Sequence, residues 1–164
     1  MFNISEATKG DIPAIIEIAE KTWWPTYSEF ISADQIRYML DTIYAPEILR
    51  KQMVNGIQTF LLLKDENGPQ AFASFGLRSE EPHVYKVHKL YVHPQTQGKS
   101  YGKMLIQEIK NQLLKKNIHI LDLNVNRFNP ARRFYEKTGF VILREEDIPI
   151  GPYWMNDFVM RMTF

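Results

Sequence analysis

The chain of 164 residues contains no cysteine. This absence excludes disulfide bonds, thiolate metal sites and catalysis by a cysteine nucleophile. An excess of one charge is also missing, because 20 Lys and Arg residues stand against 19 Asp and Glu residues, a formal net charge of +1. Without a strong overall field, we expect no binding to nucleic acid or to an anionic membrane surface.

Long apolar runs are absent as well. The longest ones, such as residues 60–63 and 140–143, are far too short to span a bilayer. Residues 1–6 lack the basic start and the apolar stretch of a signal peptide, so we expect a cytoplasmic protein. The chain shows no repeat and no linker-like stretch, and its composition is that of a folded protein. We therefore expect one domain over residues 1–164.

The spacing of apolar residues predicts an α/β (α+β) fold. Helices are predicted in the first third of the chain, and residues 21–31 between them are aromatic and irregular. A strand, a helix and a strand follow one another over residues 84–125, which implies a right-handed parallel crossover. Turn-linked strands elsewhere favour antiparallel pairing. Together, these patterns predict a mixed, mostly antiparallel central sheet with one parallel β-α-β crossover and helices on both faces.

A candidate phosphate site lies between the strand over residues 84–92 and the helix that begins near Tyr101. A helix N-terminus presents free N–H groups, and Gly98 and Gly102 let an anion approach them closely. The sequence Gly98-Lys99-Ser100 also imitates the end of a nucleotide-binding P-loop. That motif needs a glycine where this chain has His93, so nucleotide binding is disfavoured. A plain strand-to-helix turn remains the alternative.

Two sequence blocks resemble the GNAT superfamily of N-acetyltransferases. Residues 97–102 match Gln-x-x-[Gly/Ala]-x-[Gly/Ala], with Ser100 at the position of the central glycine. Residues 129–140 are similar to a second signature, an Asn followed by Ala-x-x-Phe-Tyr-x-x-x-Gly-Phe. In this superfamily the first block binds the pyrophosphate of acetyl-coenzyme A. The Ser100 side chain could crowd that group, donate to a phosphate oxygen or cap the helix.

The resemblance implies a set of residues that contact acetyl-coenzyme A through the strand edge, the loop and the second block. They are Leu90, Tyr91, Val92, Gln97, Gly98, Lys99, Ser100, Tyr101, Gly102, Lys103, Asn129 and Arg132.

The resemblance also implies the catalytic groups. Tyr135 occupies the position of the superfamily's general acid, which protonates the leaving thiolate. Many members place a glutamate on the third strand as the base, but this chain has His88 there, on the face that alternation assigns to Lys86, Leu90 and Val92. With an ordinary pKa near 6.5, His88 is a candidate base, and Glu80 and Glu81 are alternatives. His83, His88 and His93 alternate between strand faces, so we predict no metal site.

The acceptor side is predicted to be aromatic. Trp23, Trp24 and Tyr27 are candidates for a wall around a cationic amine, and Trp154 lies in a Pro-rich loop predicted over residues 147–154. The resemblance favours a small primary amine, such as a polyamine, attacked directly in a ternary complex. A peptide acceptor and a non-catalytic acyl-coenzyme A-binding module are the alternatives. Paired subunits are common in the superfamily, so a homodimer is compatible with the resemblance.

Overall fold

The computed structural model describes residues 1–164 as seven strands and five helices. The strands are β1 (Phe2–Glu6), β2 (Thr59–Asp65), β3 (Gly68–Leu77), β4 (Val84–Val92), β5 (Ile120–Asn126), β6 (Val141–Ile150) and β7 (Tyr153–Thr163). The helices are α1 (Ile12–Tyr27), α2 (Ala33–Ile43), α3 (Pro46–Val54), α4 (Tyr101–Lys115) and α5 (Ala131–Thr138).

All seven strands form one sheet in the order β1-β2-β3-β4-β5-β7-β6. Every neighbouring pair is antiparallel except β4 and β5, which α4 connects as a parallel crossover. The predicted fold class, a mostly antiparallel mixed sheet with one crossover, is confirmed.

Helices cover both faces of the sheet. Apolar residues of α4 pack against one face in a cluster that includes Leu105, Ile109 and Leu113. Helices α1, α2 and α3 pack against the other face, where Ile15 and Leu49 are fully buried. The period-2 alternation of the strands supplies apolar side chains to both clusters, which is why the sheet is buried on both sides.

Two local predictions were wrong, and one strand was missed. Residues 21–31 are not irregular throughout, because α1 continues to Tyr27 with Pro25 inside its last turn. The rings of Trp23 and Tyr27 are buried in the core. Their packing compensates for the backbone hydrogen bond that is lost because proline has no N–H. The predicted loop over residues 147–154 is instead a hairpin of β6 and β7 that turns at Gly151. Strand β1 has no counterpart in the sequence prediction.

None of the five helices is long and apolar enough to cross a membrane.

Candidate active site

The two parallel strands separate halfway along their length. Strands β4 and β5 pair from Val84 with Ile120 to Val87 with Leu123, and no further. On its other edge, β4 continues to pair with β3, where Phe75 faces Val87 and Ser74 faces Lys89. His88 is therefore an extra residue, a β-bulge at the point where the strands part. Beyond it, the edge of β4 that faces β5 has no strand partner.

The bulge changes which face the later residues of β4 occupy. Tyr85 and Val87 pack against the α4 side, and so do Leu90 and Val92, whereas Tyr91 packs against the α1 side. The predicted alternation, with Val87 opposite Leu90, was therefore wrong. One inserted residue reverses every side chain that follows it.

The loop before α4 holds its backbone in left-handed conformations. Gly98 has φ +93° and Ser100 has φ +64°. A left-handed φ disfavours every residue with a Cβ, so glycine is the natural residue at both positions. The Ser100 hydroxyl makes no capping hydrogen bond to α4. Of the three roles predicted for this hydroxyl, helix capping is excluded.

The amino end of α4 is suited to an anion. Its first turn contains no acidic residue, and its free N–H groups carry the positive end of the helix dipole. A Cβ on Gly102 would lie 3.4 Å from the Phe134 ring and 3.6 Å from Val92 Cγ2, so a methyl group would fit there but a larger side chain would meet β4 and α5. The loop and this helix end fit a pyrophosphate, which needs N–H donors at short range.

A large cleft of about 890 Å³ runs from this helix end to the gap between β4 and β5. Of the residues predicted to contact acetyl-coenzyme A, Lys99 and Arg132 do not line it. Arg132 pairs with Glu136 at 3.1 Å and lies over the Phe158 ring, so its guanidinium is engaged elsewhere. The predicted residues that do line the cleft are Leu90, Tyr91, Val92, Gln97, Gly98, Ser100, Tyr101, Gly102, Lys103 and Asn129.

Residues of the second block face the same cleft. Tyr135 lines it, and its hydroxyl makes no hydrogen bond within the chain. Burial raises the pKa of Tyr135 well above 10, so the phenol keeps its proton. Asn129 is buried, and its Oδ1 accepts a hydrogen bond of 2.9 Å from the N–H of Ala131 at the start of α5. Asn129 therefore fixes the helix that presents Tyr135.

His88 faces the gap itself and lines the large cleft. Its side chain is open to the cleft. Desolvation by the surrounding residues, followed by repulsion from the cations Lys86, Lys89 and Arg78, lowers the pKa of His88 to about 3. The ordinary value near 6.5 does not apply here. His88 is a neutral imidazole at neutral pH and a weaker base than the sequence indicated.

A small cavity of about 290 Å³ opens on the α1 side of the same gap. Five residues line both this small cavity and the large cleft: Tyr27, His88, Lys89, Tyr91 and Asn124. Two of them, Tyr27 and Tyr91, hold their hydroxyls 3.1 Å apart. The two spaces therefore meet where β4 and β5 separate.

Of the four aromatic residues predicted for the acceptor side, two line this junction region. Trp23 lines the small cavity and Tyr27 lines both spaces. Trp24 and Trp154 line neither, contrary to the prediction. Trp24 lies near Glu20 on the outer part of α1, and the Trp154 side chain is 58% exposed in the β6–β7 hairpin.

Lys89 is the cation of the small cavity. It is 5% exposed, its Nζ donates to Gln58 Oε1 at 2.9 Å and to Gln52 Oε1 at 3.2 Å, and it lies over the Phe60 ring. Burial, followed by repulsion from Lys86, lowers the pKa of Lys89 to about 7.

Asn124 on β5 and Asp157 on β7 are among the polar residues of the small cavity that sequence reasoning missed. Asn124 Nδ2 donates to Asp157 Oδ2 at 3.3 Å. Strand β5 offered a signal, because polar residues alternate there with Leu121, Leu123 and Val125. A strand buried on both faces is expected to be apolar throughout, so a polar stripe on one face marks a site.

Comparison with known proteins assigns this geometry to a family. A sequence model described as an acetyltransferase (GNAT) domain matches residues 28–153. The chain belongs to the GNAT acetyltransferase family. This GNAT domain is 26% identical over 156 residues to a spermidine N(1)-acetyltransferase from Thermoplasma acidophilum, which covers 94% of this chain and 92% of the relative. It is also 33% identical over 86 residues to an L-methionine sulfoximine/L-methionine sulfone acetyltransferase from Salmonella typhimurium, over 50% of each chain.

A solved structure agrees with these matches. The PaiA N-acetyltransferase from Thermoplasma acidophilum, crystallised with coenzyme A, superposes on this GNAT domain with a TM-score of 0.85 and 25% identity. The superposition covers 100% of this chain and 99% of that one. The resemblance predicted from the two sequence blocks is confirmed, and the protein is an N-acetyltransferase.

Proposed function

We propose that this GNAT domain transfers an acetyl group from acetyl-coenzyme A to a primary amine of a small molecule, with polyamines as the favoured class. The observation that carries the proposal is the meeting of the large cleft and the small cavity at the His88 bulge. The similarity to a spermidine acetyltransferase supports the choice of acceptor class.

The large cleft would hold the coenzyme. The N–H groups at the start of α4 and of the Gly98 loop are placed for phosphate oxygens, and Lys103 lies beside them. The unpaired edge of β4 after the bulge is available to hold the acyl arm. Acetyl-coenzyme A supplies the activated acetyl group, and the chain, which lacks cysteine, supplies alignment and proton transfer.

Tyr135 is proposed to give its proton to the departing thiolate. The phenol is protonated throughout the neutral range, and its hydroxyl is free of other partners in the chain. We propose that neutral His88 accepts a hydrogen bond from the attacking amine, which orients it, and that the proton leaves through water. Because its pKa is about 3, His88 is a weak base and would not hold the proton of the amine. Its ring nitrogen can still accept a hydrogen bond that orients the amine.

The test has two arms. Thermal-shift assays should show stabilisation by acetyl-coenzyme A and none by ATP with magnesium; the reverse result would contradict the proposal. A panel containing a diamine, a monoamine, an amino acid and a peptide should then give thiol release with the small amines. Binding of acetyl-coenzyme A without thiol release for any member of the panel would favour a non-catalytic acyl-coenzyme A-binding module, and release with the peptide alone would favour a peptide acetyltransferase.

A further inference from the structure

The buried polar atoms without hydrogen-bond partners gather in one place. Three such side-chain atoms occur in the chain: Trp23 Nε1, Asn124 Oδ1 and Asp157 Oδ1. All three residues line the small cavity. Buried polar groups are satisfied almost everywhere in native proteins, so a concentration of free atoms around one cavity indicates a ligand.

Two of the three atoms are acceptors, and one belongs to a carboxylate. Asp157 is 6% exposed, forms no ion pair and accepts only the side-chain hydrogen bond from Asn124, which leaves Oδ1 free. Burial raises the pKa of this carboxyl, and Lys86 and Arg127 lower it while Glu146 raises it. The site therefore disfavours a carboxylate without a cation beside it, and a bound cation would remove that penalty.

The other charged group of the small cavity is already engaged. Lys89 donates to two glutamine oxygens, so it is not available to bind a carboxylate of a ligand. Asp157 is the only acidic residue that lines the small cavity. The balance of free groups favours a cationic ligand over an anionic or zwitterionic one.

Size and wall composition narrow the ligand further. The volume of about 290 Å³ lies just below the range for small-molecule sites, which is about 300–1,000 Å³, so the cavity suits only a small ligand or one part of a ligand. The remaining wall is mostly aromatic and aliphatic and includes Tyr44, Ile148 and Met155. Such a wall suits a methylene chain that ends in an ammonium group.

We propose that Asp157 and Asn124 bind the second, protonated amino group of a linear diamine whose first amino group lies at the His88 junction. This inference rests on the proposed acetyl transfer and adds the recognition of the acceptor. It makes Asp157 a specificity-determining residue, because a monoamine has no group for it to bind.

The experiment compares 1,4-diaminobutane with butylamine, which has the same chain length and one amino group. The wild type should have a KM for the diamine about tenfold or more below that for the monoamine. Asp157→Asn should remove most of this difference by raising the diamine KM, with kcat and the monoamine KM little changed. Asn124→Ser, on the other strand, should shift the diamine KM in the same direction by a smaller factor.

Asp147→Asn is the matched control, because Asp147 is an exposed carboxylate on the neighbouring strand β6, outside the small cavity. It should leave the preference for the diamine intact. Equal KM values for the two amines in the wild type, or a diamine preference that survives both cavity substitutions, would overturn the assignment of Asp157 while acetyl transfer stands.

Failure of acetyl transfer itself is recognised separately. Calorimetry of the two amines with the coenzyme A-loaded protein measures recognition without turnover. Diamine binding that weakens about tenfold or more in Asp157→Asn supports the inference even if no product forms. Equal binding to the wild type and to this variant overturns it.

Discussion

Ser100 occupies a backbone conformation that ordinarily selects glycine. Its φ of +64° places the Cβ close to backbone atoms, and its hydroxyl makes no capping bond that would offset this cost. Asn117, just beyond α4, has a similar φ of +59° and lies far along the helix from the phosphate loop. Comparison of Ser100 with Asn117 separates the effect of a left-handed φ on stability from the effect of a position in the phosphate loop.

Ser100→Gly should therefore stabilise the fold by about 0.5–1 kcal/mol, since relief of the left-handed strain exceeds the added entropy of the unfolded chain. Urea unfolding measures the change. Asn117→Gly is the comparison and should gain less, because asparagine tolerates the left-handed region and Asn117 Oδ1 forms a 3.1 Å hydrogen bond with His119 Nε2 that glycine would lose. A loss of stability in Ser100→Gly alone would show that the hydroxyl stabilises the loop.

Tyr135 is a residue whose predicted role depends on one atom. Tyr135→Phe removes the hydroxyl and keeps the ring packed against Phe134 and Phe140. We expect kcat to fall by about a hundredfold or more, with little change in the KM for acetyl-coenzyme A. Tyr85→Phe, on β4 but outside the large cleft, should be nearly neutral. A Tyr135→Phe enzyme with normal kcat would remove Tyr135 from the mechanism.

His88 gives a prediction about pH. Because its pKa is about 3, the imidazole is neutral at every pH between about 5 and 8, and its titration contributes no inflection there. His88→Gln should lower kcat without changing the shape of the pH–rate profile in that range, and the affinity for acetyl-coenzyme A should be kept. An inflection near pH 6.5 that disappears in the variant would show that His88 is a base of ordinary strength.

At the scale of elements, the site depends on how closely α4 approaches its neighbours. A Cβ at Gly102 would already be in van der Waals contact with Phe134 and Val92, so the extra methyl groups of a larger side chain would collide with them. Gly102→Val should push the amino end of α4 away from β4, costing about 1–3 kcal/mol of stability and weakening acetyl-coenzyme A binding. Met104→Val adds the same β-branched residue on the exposed side of that helix and should affect neither property strongly. Unchanged acetyl-coenzyme A binding in Gly102→Val would show that the amino end of α4 is not part of the coenzyme site.

The elements also show what sequence reasoning could and could not reach. The phosphate loop and α5 were predictable because each is a local pattern, fixed by glycines and by Asn129 within a few residues. The bulge at His88 was not, since it is defined only by the register of β4 against β3. The pairing of Asn124 with Asp157 joins residues 33 positions apart in the sequence, across neighbouring strands. Such a contact depends on strand order, which apolar periodicity does not contain.

At the scale of the whole molecule, the paired half of the sheet is held together by a buried ion network. Asp122 is fully buried and accepts from Arg78 at 2.9 Å and from Arg161 at 2.7 Å, and Arg161 also pairs with Glu81. The network joins β5 and β7 to the segment that follows β3, at the end where β4 and β5 still pair. It stabilises the end of the sheet where β4 and β5 are paired, here called the closed end of the sheet. At the other end the two strands are apart, and the candidate active site lies between them.

Asp122→Asn should destabilise the protein by about 3–5 kcal/mol, because it removes the fully buried anion that Arg78 and Arg161 share. Asp41→Asn, which breaks an exposed pair with Arg37, should cost about 1 kcal/mol or less. Thermal and urea unfolding of the two variants measure the contrast. Similar losses in both would mean that the network adds little to the closed end of the sheet.

The central claim is direct transfer from acetyl-coenzyme A to a small amine in the space between β4 and β5. The measurement that tests it most directly quantifies free thiol and acetylated diamine in the same reaction, together with the intact mass of the protein. We predict equal amounts of thiol and mono-acetylated diamine, neither product without the amine, and no acetyl group on the protein. Thiol release without acetylated amine, or an acetylated protein that precedes the product, would contradict the account.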